Sequence, residues 1–85
     1  MKTITHVIND ELGIHARPAG LLVKVAAGYQ SNIIISKDGK EANAKRIMAL
    51  MGLGATKGTE ITVKVEGPDE EEAAKAVEEF LKGNL

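Results

Sequence analysis

From Lys2 to Ile8 the chain alternates, with Ile4, His6 and Ile8 on one side and Thr3, Thr5 and Val7 on the other. A period of two is the mark of a strand with one covered face. A charged turn, NDELG, ends at Gly13 and the rhythm changes. Ala19, Leu22, Val23, Ala26 and Ala27 recur at intervals of three and four, which predicts a helix from Ala16 with a narrow apolar stripe, ended at Gly28. Ile33, Ile34 and Ile35 are β-branched and favour a second strand. Asp38-Gly39 then predicts a tight hairpin, because both residues tolerate positive φ, with a short return strand over Lys40–Asn43. Ile47, Met48, Leu50, Met51 and Leu53 crowd into about two helical turns closed by Gly52 or Gly54. After a turn at 56–58, Glu60–Glu66 is the clearest strand, with Ile61, Val63 and Val65 inward. Asp69 with Glu72 predicts a capping box for a last helix. That helix has Ala73, Ala76, Val77, Phe80 and Leu81 on its apolar face and Gly83 at its end.

The predicted order is β-α-β-β-α-β-α, an α+β fold in two layers: a four-stranded antiparallel sheet covered on one side by three helices. The 85 residues are expected to form a single domain, 1–85. At that size only about 60% of the extended chain's surface can be buried, which excludes a deep cleft between two lobes. Cysteine is absent, so disulfides and thiolate ligands are excluded, and Tyr29 and Phe80 are the only aromatics. No run approaches twenty apolar residues and the first ten include no apolar leader segment; a cytoplasmic protein without membrane insertion is the expectation.

Charge changes the picture more than composition does. Residues 1–58 hold eight Lys/Arg against four Asp/Glu, whereas residues 59–85 hold three against eight. A basic part of this kind suits acidic partners or phosphorylated groups; solvated lysines and an acidic terminal helix are the plainer account. With a net charge of -1, no basic stripe and no aromatic platform, a nucleic-acid ligand is not expected.

One segment carries candidate chemistry: Gly13-Ile14-His15-Ala16-Arg17-Pro18-Ala19-Gly20. His15 falls at the junction of loop and helix, and Pro18 lies in the first turn, where a missing N–H costs nothing. The amides of Ala16 and Arg17 are free to bind an anion, with the arginine fork beside them. A neutral imidazole at that mouth is a nucleophile for a phosphoryl group, which the amides and guanidinium would hold. A histidine cap next to a surface arginine fits the local pattern equally well. No triad, metal cluster or phosphate-binding glycine loop accompanies it, and His6 reads as a strand residue satisfied by a carbonyl or water. A lone nucleophile without a pocket points to a protein that carries a group.

GIHARPAG at 13–20 and NAKRIMALMGLGATKG at 43–58 resemble the two signature segments of the HPr family, the histidine-containing phosphocarriers of the bacterial phosphoenolpyruvate:sugar phosphotransferase system. The resemblance extends over nearly the whole chain. It implies an open-faced β-sandwich and a phosphoryl carrier, not an enzyme, that accepts phosphate from Enzyme I and donates it to IIA domains of sugar permeases. It implies His15 as the phosphorylated residue, Arg17 as its partner and no cofactor or metal beyond the transient phosphate. The partner surface implied is Gly20, Ile47, Met48, Met51 and Leu53, ringed by Lys24, Lys45 and Arg46. Each contact would be small and transient, and the carrier a monomer. Arg46 stands where the family usually has a serine that a kinase phosphorylates, which removes that acceptor here. The nitrogen-related phosphocarriers share the histidine motif and are the alternative branch.

Overall fold

A computed structural model describes residues 1–85. Strands β1 (Lys2–Val7), β2 (Asn32–Lys37), β3 (Lys40–Asn43) and β4 (Glu60–Glu66) alternate with helices α1 (Ala16–Ala27), α2 (Ile47–Gly52) and α3 (Glu70–Asn84) in the expected order. The strands form one sheet in the order β1-β4-β2-β3, with every neighbouring pair antiparallel. The three helices cover one face, as the alternation of polarity in the strands requires.

Register explains which face is covered. Ile4 sits opposite Val63, Val63 opposite Ile35, and Ile35 opposite Ala42, so one apolar row crosses the whole sheet. A second row joins Val65 to Ile33. Ile33, Ile35, Ile61, Val63 and Val65 are all fully buried. Against them pack Ala19, Leu22 and Ala26 of α1, Leu50 of α2, and Ala73, Val77 and Leu81 of α3. The total accessible surface is 4896 Å². That equals the roughly 4,900 Å² expected for a folded chain of this mass, so aliphatic packing alone reaches ordinary compactness.

The hairpin between β2 and β3 is the tight one predicted: Lys37 pairs with Lys40, and Asp38 takes a φ of 48°. Two local expectations fail. Asp69 does precede α3, and its carbonyl accepts from Ala73 N–H at 2.9 Å, but its side chain makes no cap bond to the helix. Its carboxylate turns across to the segment after α1, where Oδ2 accepts from the Gln30 N–H at 2.9 Å and Oδ1 from the Ser31 N–H at 2.9 Å and the Ser31 hydroxyl. Glu70 instead reaches back to the Gly67 N–H at 3.3 Å. Gly83 does not end α3, which continues to Asn84 because no residue there must leave helical geometry. His6 lies on the covered side of β1 as expected, where its Nε2 is buried and no protein group reaches it.

Candidate functional site

The loop between β1 and α1 is tied down at several points before it delivers His15. The Asn9 and Asp10 N–H groups both donate to the Leu85 carbonyl, the second at 3.0 Å. Asp10 then builds the turn itself: its carbonyl accepts from Gly13 N–H at 3.0 Å and its Oδ1 from Leu12 N–H at 2.8 Å. Ile14 N–H donates to the Ala55 carbonyl at 3.0 Å. Gly13 has a φ of 67°, and a Cβ there would stand 2.2 Å from the Ala55 oxygen. Only glycine allows the loop to lie this close to the segment leaving α2.

His15 is the N-cap of α1, in an extended conformation, and makes no side-chain cap bond. Its carbonyl accepts from Ala19 N–H at 2.9 Å, which starts the helix. The N–H groups of Ala16 and Arg17, in the first turn, have no acceptor in the chain and face the positive end of a twelve-residue helix. Pro18 is buried and fixes that turn. Arg17 is exposed and forms no ion pair. The imidazole is half-buried, with 35% of its side chain exposed, and its Nε2 lies 3.9 Å from Asp10 Oδ2. The open depression around it is lined by Asp10, Leu12, Arg17, Pro18, Leu21 and Asn84. Its shape admits a group presented by another surface but does not enclose a small molecule.

The remaining predicted positions divide. Ile47, Met48 and Met51 of α2 are exposed, Met48 to 76%. Gly20 of α1 faces this patch, with the Ile47 Cδ1 3.6 Å from where its Cβ would be. Lys24 and Arg46 are exposed, Arg46 directly before Ile47 in the chain. Lys45 is only half-exposed, and its ammonium is already bound to the Tyr29 carbonyl at 2.9 Å, which ties the end of α1 to the start of α2. Leu53 corrects the expectation: at 2% exposure it belongs to the core and offers nothing to a partner. Leu50 and Leu53 stand three positions apart, on the side of α2 that faces the sheet, while Met48 and Met51 share the outer side.

Sequence reasoning passed over Asp10 as a partner of the imidazole; its signal was the Asp-x-Leu spacing that builds the turn. Asn84 reaches the same depression from the far end of the chain, and no local pattern announces that. No cluster of three histidine, aspartate or glutamate side chains assembles anywhere. No helix is long and apolar enough to cross a membrane.

A histidine at a helix start, with free amides behind it and an unpaired arginine beside it, is an arrangement that can receive an anionic group presented by another surface. Residues 2–83 match the family described as the PTS HPr component phosphorylation site. The chain is similar to HPr from Thermoanaerobacter tengcongensis, with 43% sequence identity and a TM-score of 0.92 over 98% of this chain and 93% of that one. It is also similar to the histidine-containing phosphocarrier protein of Mycoplasma, with 36% identity and a TM-score of 0.93 over 96% and 93%. A third relative is Crh of Bacillus subtilis, with 38% identity and a TM-score of 0.79 over 94% and 92%. The chain belongs to the HPr family. It is a phosphoryl carrier of the phosphotransferase system, taking phosphate from Enzyme I and passing it to IIA domains, and not an enzyme acting on a small-molecule substrate.

Proposed function

We propose that His15 is the residue that carries the phosphoryl group, held by the Arg17 guanidinium and by the amides of Ala16 and Arg17. The observation that carries this reading is the helix start itself. His15 makes no cap bond, two first-turn N–H groups lack acceptors, and Arg17 is unpaired. An arriving phosphoryl group would find two kinds of donor, backbone amides and a guanidinium, with no internal bond to break first. Ile47, Met48 and Met51, with Gly20 beside them and Lys24, Lys45 and Arg46 around them, form the surface on which Enzyme I and IIA domains dock in turn. Flexible methionines suit a face that must fit more than one partner.

The protein works in the cytoplasm as a monomer. Crh of Bacillus subtilis is described as a domain-swapped dimer. Sedimentation of this protein at working concentrations tests the monomer assignment. The test of the site is His15→Ala, supplied with phosphoenolpyruvate and Enzyme I. Acid-labile phosphate should appear on the parent protein and vanish in the variant, with unfolding changed by less than about 0.5 kcal/mol. Undiminished incorporation in the variant would move the acceptor elsewhere.

A further inference from the structure

We propose that Asp10 is the positioning residue of His15: its carboxylate holds the Nε2–H of the ring and leaves Nδ1 as the nitrogen that takes the phosphoryl group. This rests on the reading of His15 as acceptor.

Asp10 is held through its backbone and through one carboxylate oxygen. Its N–H is bound to the Leu85 carbonyl at 3.0 Å, its own carbonyl to Gly13 N–H at 3.0 Å, and its Oδ1 to Leu12 N–H at 2.8 Å. One polar atom is left, Oδ2, and it faces His15 Nε2 at 3.9 Å. The carboxylate cannot swing away without opening the turn that precedes the helix. The separation is longer than a hydrogen bond, as catalytic contacts often are before the reacting charge develops. Both side chains are about one-third exposed, at 35% and 31%, so the attraction is moderate and screened by salt.

The consequence is chemical as well as steric. Which imidazole nitrogen keeps its proton is set by what the other atoms of the site accept. With Nε2–H directed at Asp10, the Nδ1 lone pair attacks phosphorus while the donor's bond to phosphorus breaks, and that electron pair stays with the donor. The Nε2 proton remains in place, and the ring gains one positive charge beside the new Nδ1–P bond. Asp10 Oδ2 stands next to the proton that shares this charge. In the onward step the Nδ1–P electron pair returns to the ring and the charge is lost with it. Asp10 therefore assists arrival and departure alike, without touching the phosphoryl group.

Two variants separate the turn from the carboxylate. Asp10→Asn keeps the oxygen that accepts from Leu12 N–H but removes the charge and presents an NH2, not an acceptor, to Nε2–H; Asp10→Ala removes both interactions. Phosphate incorporation from phosphoenolpyruvate through Enzyme I should slow about threefold to fivefold in Asp10→Asn at low salt, with the gap closing at high salt. The ¹⁵N shifts of the His15 ring at alkaline pH should show one dominant Nε2–H tautomer in the parent. In Asp10→Asn and Asp10→Ala, which both lack the acceptor facing Nε2, they should move away from that single tautomer. Equal or faster incorporation in Asp10→Asn at low salt, or unchanged ring nitrogens in a folded Asp10→Ala, overturns the proposal. If the parent protein itself takes no phosphate, the carrier reading of His15 fails, and the ring nitrogens still decide the role of Asp10.

Discussion

Two helices in this protein begin beside an aspartate, and they treat it in opposite ways. At the start of α3, the Asp69 carboxylate accepts three bonds from Gln30 and Ser31, and Ser31 is fully buried beneath it. Gly67 packs against Ser31 so closely that a Cβ would lie 2.6 Å from its Cα. At the start of α1, Asp10 spends one oxygen on its own turn and leaves the other facing an imidazole. The first-turn amides there stay free, and Arg17 stays unpaired. The first junction satisfies its polar groups and ties distant segments together. The second keeps donors open, which water tolerates at little cost because they are exposed. Saturation gives stability; a site that must receive and release an anion needs the reverse.

The comparison breaks most visibly at Gly67. Its φ of 155° lies in a region reserved for glycine, and the added methyl would also strike Ser31. Gly67→Ala should cost about 3 kcal/mol of stability, the sum of backbone strain and forced repacking. Phosphoryl acceptance by the molecules that remain folded should be unchanged. Urea unfolding followed alongside phosphate incorporation checks both parts.

Arg17→Lys addresses the open end instead. Lysine keeps the charge but loses the planar fork, so transfer should fall about tenfold, or about 1.4 kcal/mol, with unfolding unaffected. Equal transfer rates at matched Enzyme I concentrations would mean that diffuse charge alone serves the phosphate.

Asp69→Asn reads the saturated junction through pH. The Ser31 hydroxyl first, then the Gln30 and Ser31 N–H groups, hold the Asp69 carboxyl below its ordinary value of 3.8. A carboxyl lowered on folding stabilises the protein fully above the ordinary range, and that contribution fades as pH falls through the lowered value. The parent should therefore exceed Asp69→Asn in stability at neutral pH, with the gap closing under acid. A gap that stays constant in urea midpoints down to strongly acid pH would show that the ionised form is not what the junction recognises.

Much of this architecture was legible because periodicity is local. The alternation of Ile61, Val63 and Val65 and the three-four spacing of Ala19, Leu22 and Ala26 each declare one covered face. The cluster GIHARPAG announces its site for the same reason: helix start, arginine and histidine are neighbours in the chain. What escaped was non-local. Asp69 has the spacing of a capping box, but the donors that win its carboxylate lie 38 and 39 residues away. Leu53 looks like one more member of an apolar cluster, and only the direction of α2 against the sheet sends it inward while Met48 faces out. His6 alternates correctly, yet no pattern in the strand shows that no protein group would reach its Nε2.

The smallest effect is expected at Arg46, where the two kinds of junction can be set against each other within one residue. Arg46 is the N-cap of α2, extended at φ -123° and ψ 110°, and its side chain makes no cap bond. Its backbone does the structural work: the N–H donates to Asn43 at 3.0 Å and the carbonyl accepts from Leu50 at 3.1 Å. The guanidinium is exposed beside Ile47 and Met48, at a helix start where a cation is mildly disfavoured. Aspartate is among the preferred N-caps, so Arg46→Asp should raise stability by about 0.5–1 kcal/mol. Removing a rim cation and adding an anion should, in the same molecule, weaken docking to an acidic partner surface by about twofold to fivefold at low salt and less at high salt. Unfolding and Enzyme I titration on one sample decide it. A more stable protein with weaker, salt-sensitive binding would mean that the open cap serves docking at the expense of the helix. Unchanged binding at low salt would place Arg46 outside the contact and leave its unfilled cap without a functional reason.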